Sequence, residues 1–290
     1  MSCFEKNILG IYKDKGREWL TNLPITVENI ANEYNLSDLK PLGNLSYNYV
    51  LSGFQNTKPI ILKLGLDINA LKQEATTLKI FTGFGAIQVL AADDGMLLLE
   101  RAIPGISLKS YFPSKDSNSI KIACDVMNRL HQAPIPKNVT LPHVKDWLSV
   151  FDTDISHNKQ VNCYLQKARD IRDQLLETSA APVLLHGDLH HENILQNGTS
   201  WIIIDPKSVI GEATYEVAAF IRNPIPELLG SKNVNEIIQK RITAFSATLK
   251  LNPKRIKDWC FVQSVLAWIW ALEDHQDETY FRYLTEIFNK

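Results

Sequence analysis

Cysteine is scarce and scattered in this 290-residue chain: Cys3, Cys124, Cys163 and Cys260 form no Cys-x-x-Cys pair. Such spacing points to neither a zinc site nor a disulfide framework, and free thiols in a reducing cytoplasm are the default. An excess of one charge is also lacking, with 31 Lys and Arg against 32 Asp and Glu and a net charge of −1. That balance disfavours a general nucleic-acid binder and favours a small-molecule substrate. Long hydrophobic runs are missing too: the longest, at 265–272, is far too short to span a bilayer. The opening MSCFEKNILGIYKDKG carries charge throughout and has no signal-peptide core. The expectation is a cytoplasmic protein with neither membrane nor nucleic-acid partner. No internal repeat, low-complexity tract or Gly/Ser linker interrupts the chain.

What is present is a change of hydrophobic period along the chain. Residues 4–34 show helical spacing, with Trp19, Leu20, Ile25, Val27, Ile30 and Ala31 available for a buried face. Short β-type runs follow at 39–42, 47–54 and 59–64, separated by turn residues. A helix capped by Asp67, with Ala70, Leu71, Ala75, Leu78 and Phe81 on one face, then runs to about Gly83. Two further strands fit 86–91 and 96–101, joined through Asp93-Asp94-Gly95. Beyond a hinge at Ala102-Ile103-Pro104-Gly105, helices are predicted over 119–132, 158–178, 215–222, 234–249 and 254–275. The order predicts an α+β, two-lobed protein-kinase-like fold. Its small lobe holds a five-stranded antiparallel sheet with one helix, and its larger, mostly helical lobe holds a hairpin. The expected division is a nucleotide-binding lobe over 1–102, with a helical extension over 1–38, and a catalytic and substrate-binding lobe over 103–290.

The hairpin carries the chemistry. In HGDLHHENILQNGTSWIIID, residues 186–205, Asp188 and Asn193 share a loop, and two short strands around Asn197-Gly198 return the chain to Asp205. A phosphoryl-transfer enzyme needs a carboxylate to orient the acceptor hydroxyl and take its proton. It also needs oxygen ligands that hold Mg²⁺ against the nucleotide phosphates. Asp188 fits the first role, Asn193 and Asp205 the second. Turn chemistry alone accounts for an isolated His-Gly-Asp, and a metal hydrolase built on His186, His190 and His191 is an alternative. Against the latter, a His-x3-His pair needs a helix, and Gly187-Asp188 is a poor helix interior.

The nucleotide half of such a site requires a strand lysine for the phosphates and a helix glutamate to fix it. Lys63, within the apolar run IILKL, and Glu74 on the following helix are suitably placed. A lysine at a sheet edge is the bland alternative. Ser46, in the loop at 43–48, is a candidate phosphate contact, although the loop has one glycine where a protein-kinase loop has three. Glu100, Arg101 and Ala102 precede the hinge, where backbone groups can pair with a purine of ATP or GTP.

The stretches LLHGDLHHENIL, WIIIDPKSVIGEATYEVAAFIRNP and FVQSVLAWIWALED resemble the aminoglycoside and hydroxyurea phosphotransferases, a group that includes streptomycin 6-phosphotransferases. The resemblance implies Mg²⁺-dependent transfer of the γ-phosphoryl group of ATP to a hydroxyl of a small, cationic acceptor. It implies Asp188 as base, Asn193 and Asp205 as Mg²⁺ ligands, and Lys63 with Glu74 as the phosphate clamp. It also implies a catalytic loop buttressed by His186, and a phosphate-neutralising or salt-bridging Lys207. Glu216 and Arg222, six apart on a helix, are read as loop-bracing residues. Trp268, Trp270, Glu273 and Asp274 offer aromatic faces and acids to a cationic acceptor, although tryptophans at helical spacing are more often core. Kinases of choline, a sugar, homoserine or a glycated amine, and a non-catalytic nucleotide-binding module, are the competing readings.

Overall fold

The computed structural model describes residues 2–43, 45–153, 159–274 and 276–290. The chain forms two compact units: Met1–Thr82 with Ala86–Gly105, and Gly83–Gly85 with Ile106–Lys290. In the first unit, α1 (Cys3–Tyr34) starts at a capping box made by Ser2 and Glu5. It breaks its helical geometry at Lys13 and ends on a left-handed Asn35, φ 54°. Phe4, Ile8 and Leu23 on α1 are buried against Leu51, Ile60, Leu62, Leu64, Met96 and Leu98 of the sheet. Trp19, Leu20, Val27, Ile30 and Ala31 pack on that core. Ile25 departs from the predicted face: it is 62% exposed, and Leu23 supplies the buried contact of that region.

The sheet consists of β1 (Leu36–Pro41), β2 (Tyr49–Gln55), β3 (Lys58–Leu64), β4 (Val89–Asp93) and β5 (Met96–Glu100). Its order is β1-β2-β3-β5-β4, with every neighbouring pair antiparallel. β4 begins later than expected. Residues 86–88 looked strand-like because Ile87 is apolar, but its burial, at 2% exposed, is reached outside the ladder. α2 (Ile68–Ile80) has Asp67 as its N-cap, accepting from the Ala70 N–H at 2.9 Å, and buries Leu71, Glu74, Ala75 and Leu78.

β6 (Pro104–Ser107) leads into the second unit, where α3 (Asp116–Leu130), α4 (Val144–Leu148) and α5 (Lys159–Glu177) follow. The predicted start of α5 at Asn158, and the predicted end of the last helix at His275, lie outside the described residues. β7 (Val183–Leu185) pairs antiparallel with β10 (Val209–Gly211), and β8 (Ile194–Asn197) forms a hairpin with β9 (Ser200–Ile203). In that hairpin Gly198 and Thr199 are the two turn residues, and Gly198 takes φ 58°, the left-handed region that glycine tolerates.

α6 (Ala213–Ile221), α7 (Val234–Leu249), α8 (Pro253–Glu273) and α9 (Thr279–Asn289) complete the unit. α8 is apolar nearly all round, as a central helix must be when α5, α6, α7 and α9 all pack on it. No helix among the described residues is long and apolar enough to cross a membrane.

Candidate active site

In the first unit Lys63 sits on β3, an interior strand flanked by β2 and β5, opposite Val50 and Leu97. It is therefore not an edge lysine. Its Nζ lies 2.6 Å from Glu74 Oε2, with both side chains less than a tenth exposed. A buried charge pair of this kind is costly to desolvate and is poor evidence of stabilisation by itself. Ser46 lies exposed between β1 and β2, and its carbonyl accepts from the Asn7 amide at 3.1 Å. Its predicted loop neighbour Asn44 is outside the described residues. At the end of β5 the Glu100 N–H donates to Gln88 O, and the Arg101 N–H to Pro59 O. Ala102 is buried.

In the second unit the loop before Asp188 is tied from three directions. Glu216 on α6 is 1% exposed, and its carboxylate accepts the N–H of His186 at 2.7 Å and of Gly187 at 3.0 Å. His186 is fully buried, and burial pushes its pKa down toward the neutral form despite Glu216 nearby. Its Nδ1 accepts the Asp188 N–H at 3.2 Å and its Nε2 bonds Ile204 O at 2.8 Å. Together these fix the Nε2–H tautomer. One imidazole thus joins the loop to the residue preceding Asp205. Gly187 has φ +86°, and a β-carbon there would meet Trp147 Cη2 at 2.9 Å and Val209 Cγ1 at 3.0 Å, so only glycine fits.

Asp188 follows with its carboxylate 29% exposed, Oδ1 3.6 Å from Arg222 Nη2 and Oδ2 3.6 Å from His190 Nε2. Burial pushes its pKa up, but His190, Arg222 and Lys207 outweigh burial and hold the carboxyl well below the usual carboxylate range. Asn193 donates its Nδ2 to Asp188 O at 2.9 Å, and its backbone carbonyl accepts the Ile204 N–H at 3.1 Å. The amide assignment leaves Asn193 Oδ1 as the acceptor end of the side chain. Asp205 adopts a left-handed φ of 57°, and its Oδ1 lies 3.8 Å from Lys207 Nζ. The β8–β9 hairpin, closed by Ile194 opposite Ile203, is what brings Asp205 back to Asn193.

The three-histidine alternative finds no support in this geometry. His186 has both ring nitrogens engaged, and no cluster of three or more His, Cys, Asp or Glu among the described residues is arranged to hold a metal.

The tryptophans and acids predicted to meet an acceptor divide between two places: Trp268 stands apart, while Trp270, Glu273 and Asp274 follow at i, i+3 and i+4 and are all exposed. Trp268 is 1% exposed, 6.0 Å from the Tyr164 ring, and lines a cavity of about 710 Å³. Trp270 instead meets Trp147 edge-on at 5.8 Å and is 39% exposed. Two residues along a helix are about 200° apart, so the pair cannot share a face. Glu273 and Asp274 are exposed at the end of α8, whereas the acids on the cavity wall are Asp277 and Glu286. Tyr280 is also on that wall, and its hydroxyl donates to Arg222 O at 2.7 Å. Sequence reasoning omitted α9 altogether, although Tyr280, Leu284 and Phe288 recur at helical spacing. The approach of Arg222 to Asp188 had no local signal in the sequence.

Comparisons with known proteins identify the family and the fold. Residues 37–275 match the family described as aminoglycoside/hydroxyurea antibiotic resistance kinase. A streptomycin 3''-kinase from Klebsiella pneumoniae is 28% identical over 237 residues, covering 78% of this chain and 85% of that protein. A streptomycin 6-kinase from Streptomyces griseus is 23% identical over 281 residues, covering 90% and 87%. An aminoglycoside phosphotransferase solved in a ternary complex with ADP and hygromycin B shares the fold, with a TM-score of 0.69 at 14% identity over 90% of this chain and 97% of that one. The matched span includes Lys63, Glu74, Asp188, Asn193 and Asp205, and the chain belongs to the aminoglycoside/hydroxyurea antibiotic resistance kinase family.

Proposed function

We propose that this kinase transfers the γ-phosphoryl group of ATP to a hydroxyl of a cationic, streptomycin-type aminoglycoside, with Asp188 as the base. The observation that carries the reading is the placement of Asp188: partly exposed, faced by Arg222 and His190, and held on a loop fixed by Glu216 and His186. Asp188 orients the acceptor hydroxyl and accepts its proton as the oxygen attacks phosphorus, while Arg222 and His190 keep its charge in place. Positioning is the larger part of phosphoryl-transfer catalysis, and the braced loop supplies it.

Asn193 and Asp205 present an amide carbonyl and a carboxylate, hard oxygen donors that fit Mg²⁺. Bound there, Mg²⁺ would supply positive charge to offset the charge that develops on the phosphoryl group during transfer. Lys63, fixed by Glu74, contacts the nucleotide phosphates, and Ser46 adds a hydroxyl to the same group. With the Glu100 N–H already bonded to Gln88, a purine is met by the Glu100 carbonyl and the Ala102 N–H. In this reading the first unit is the nucleotide-binding half, and the second the catalytic and acceptor-binding half.

The acceptor is assigned to the cavity carrying Tyr164, Trp268, Asp277, Tyr280 and Glu286. Asp277 and Glu286 against one cation, Arg282, leave the wall net acidic, and its aromatic faces add to what suits a polyhydroxylated cation. At about 710 Å³ it falls in the range of sites for drug-sized ligands, roughly 300–1,000 Å³, and is far larger than hydroxyurea requires. Tyr280, bonded to the Arg222 carbonyl, links that wall to the residue facing Asp188. Purified protein with Mg²⁺-ATP, incubated separately with streptomycin, hydroxyurea and choline, tests the assignment by mass spectrometry. One added phosphate on streptomycin is expected. Phosphate on hydroxyurea or choline alone would overturn the acceptor assignment and keep the chemistry.

A further inference from the structure

Helix α6 stops at Ile221, and a helix end leaves its last carbonyls without helical donors. Here Phe220 O takes the Asn223 N–H at 3.2 Å, and two side chains from elsewhere in the unit bond the carbonyls of residues 220–223. Arg241 Nη1 donates to Phe220 O at 3.3 Å, to Ile221 O at 3.0 Å and to Asn223 O. The Tyr280 hydroxyl takes the intervening Arg222 O. Arg241 is fully buried, and Asp116 meets its charge bidentately, Oδ2 2.9 Å from Nε and Oδ1 2.7 Å from Nη2. The Phe112 and Phe220 rings lie 5.2 and 5.6 Å from its Cζ. Phe220 in turn stacks on His191 at 3.8 Å, two residues before Asn193.

Arg222 itself is weakly held through its own side chain. Its Nε has no hydrogen-bond partner among the described residues, and its Nη2 stands 3.6 Å from Asp188. Where its guanidinium sits is therefore set by its backbone, and the carbonyls on either side of it belong to Arg241.

We propose that Arg241 is a positioning residue for the reaction: touching neither Asp188 nor acceptor, it fixes Arg222 against Asp188 through the Phe220–Asn223 backbone. The inference rests on Asp188 being the base. A simple helix cap also occupies a C-terminus with a cation, but its loss lowers stability without passing through Arg222.

A double-mutant cycle separates the two. The full chain is prepared with Arg241→Met, Arg241→Lys, Arg222→Met and the combined substitutions. kcat and KM for ATP are measured with streptomycin as acceptor and, in parallel, as basal ATP hydrolysis. Arg241→Met is expected to lower kcat about 10- to 100-fold while KM for ATP changes less than about 2-fold. In the Arg222→Met background the same substitution should change kcat by less than about 2-fold. Arg241→Lys keeps the charge beside Asp116 but lacks the fork that grips three carbonyls, and should show a smaller loss with the same non-additivity. If Arg241→Met does not fold, the lysine variant carries the cycle. Losses that multiply, or an unchanged kcat in a folded Arg241 variant, would overturn the inference. The base assignment fails separately, through turnover that survives Asp188→Ala.

Discussion

Arg222 Nη2 lies 3.6 Å from Asp188 Oδ1, and both side chains are less than a third exposed. Two residues 34 apart in sequence thus meet where α6 ends beside the loop that carries Asp188. The cation helps keep Asp188 ionised even though burial opposes its charge.

The sign of the pH dependence follows. A carboxyl held below its ordinary value of about 3.9 is already ionised above that pH, so the acid limb of kcat/KM should lie lower still. Arg222→Met removes one of the cations facing Asp188 and should move that limb upward. Initial rates across the acidic range, at saturating and limiting ATP, measure the shift. A limb that stays in place would show that Arg222 does not govern the charge on Asp188.

Lys63→Met should raise KM for ATP about 10- to 100-fold, because the phosphates lose a point charge fixed by Glu74. Glu74→Gln should do the same more weakly, leaving Lys63 in place but less well oriented. Isothermal titration of Mg²⁺-ATP onto each variant reads binding apart from turnover. Equal affinity in wild type and Lys63→Met would remove the lysine from the nucleotide site.

Much of this was legible in the sequence because it is local. Asp188, Asn193 and Asp205 are joined by one loop and one hairpin, and the Asn-Gly signal plus two short apolar runs are enough to bring them together. Lys63 and Glu74 are joined by a strand, a capped turn and a helix, each with its own period. The contacts that escaped are long-range. Arg241 and Asp116 are 125 residues apart, and nothing near either one announces the other. β7 and β10, three residues each, are too short for alternation to register. Glu273 and Asp274 follow Trp268 and Trp270 closely in sequence, whereas Asp277 and Glu286 lie beyond the last helix that periodicity picks out. Only packing shows that α8 turns one tryptophan toward the cavity and the other toward Trp147.

Glu216→Gln offers a test of the loop brace. One carboxylate accepts two backbone N–H groups, and an amide supplies a single oxygen while setting its NH₂ against the second donor. A stability loss of about 1–3 kcal/mol is expected from the unsatisfied donor. Urea unfolding should report it, together with a fall in kcat larger than any change in KM for ATP. Unchanged stability and rate would mean that the loop holds its shape without Glu216.

The cavity proposed for the acceptor makes a charge-specific prediction. Asp277→Asn combined with Glu286→Gln should raise KM for streptomycin about 10-fold or more while leaving KM for ATP within about 2-fold. Steady-state kinetics with each substrate varied in turn checks it. Parallel loss of both would point to a folding defect in α9 rather than to acceptor recognition.

In the proposed mechanism Asp188 acts as the base on a loop that Glu216 and His186 hold in place. Phosphoryl transfer to streptomycin, measured for Asp188→Ala beside titration of Mg²⁺-ATP onto the same variant, tests this most directly. Turnover is expected to fall by about 10³-fold or more while nucleotide affinity stays within a few-fold. Turnover close to that of the unsubstituted enzyme in the folded variant would contradict it.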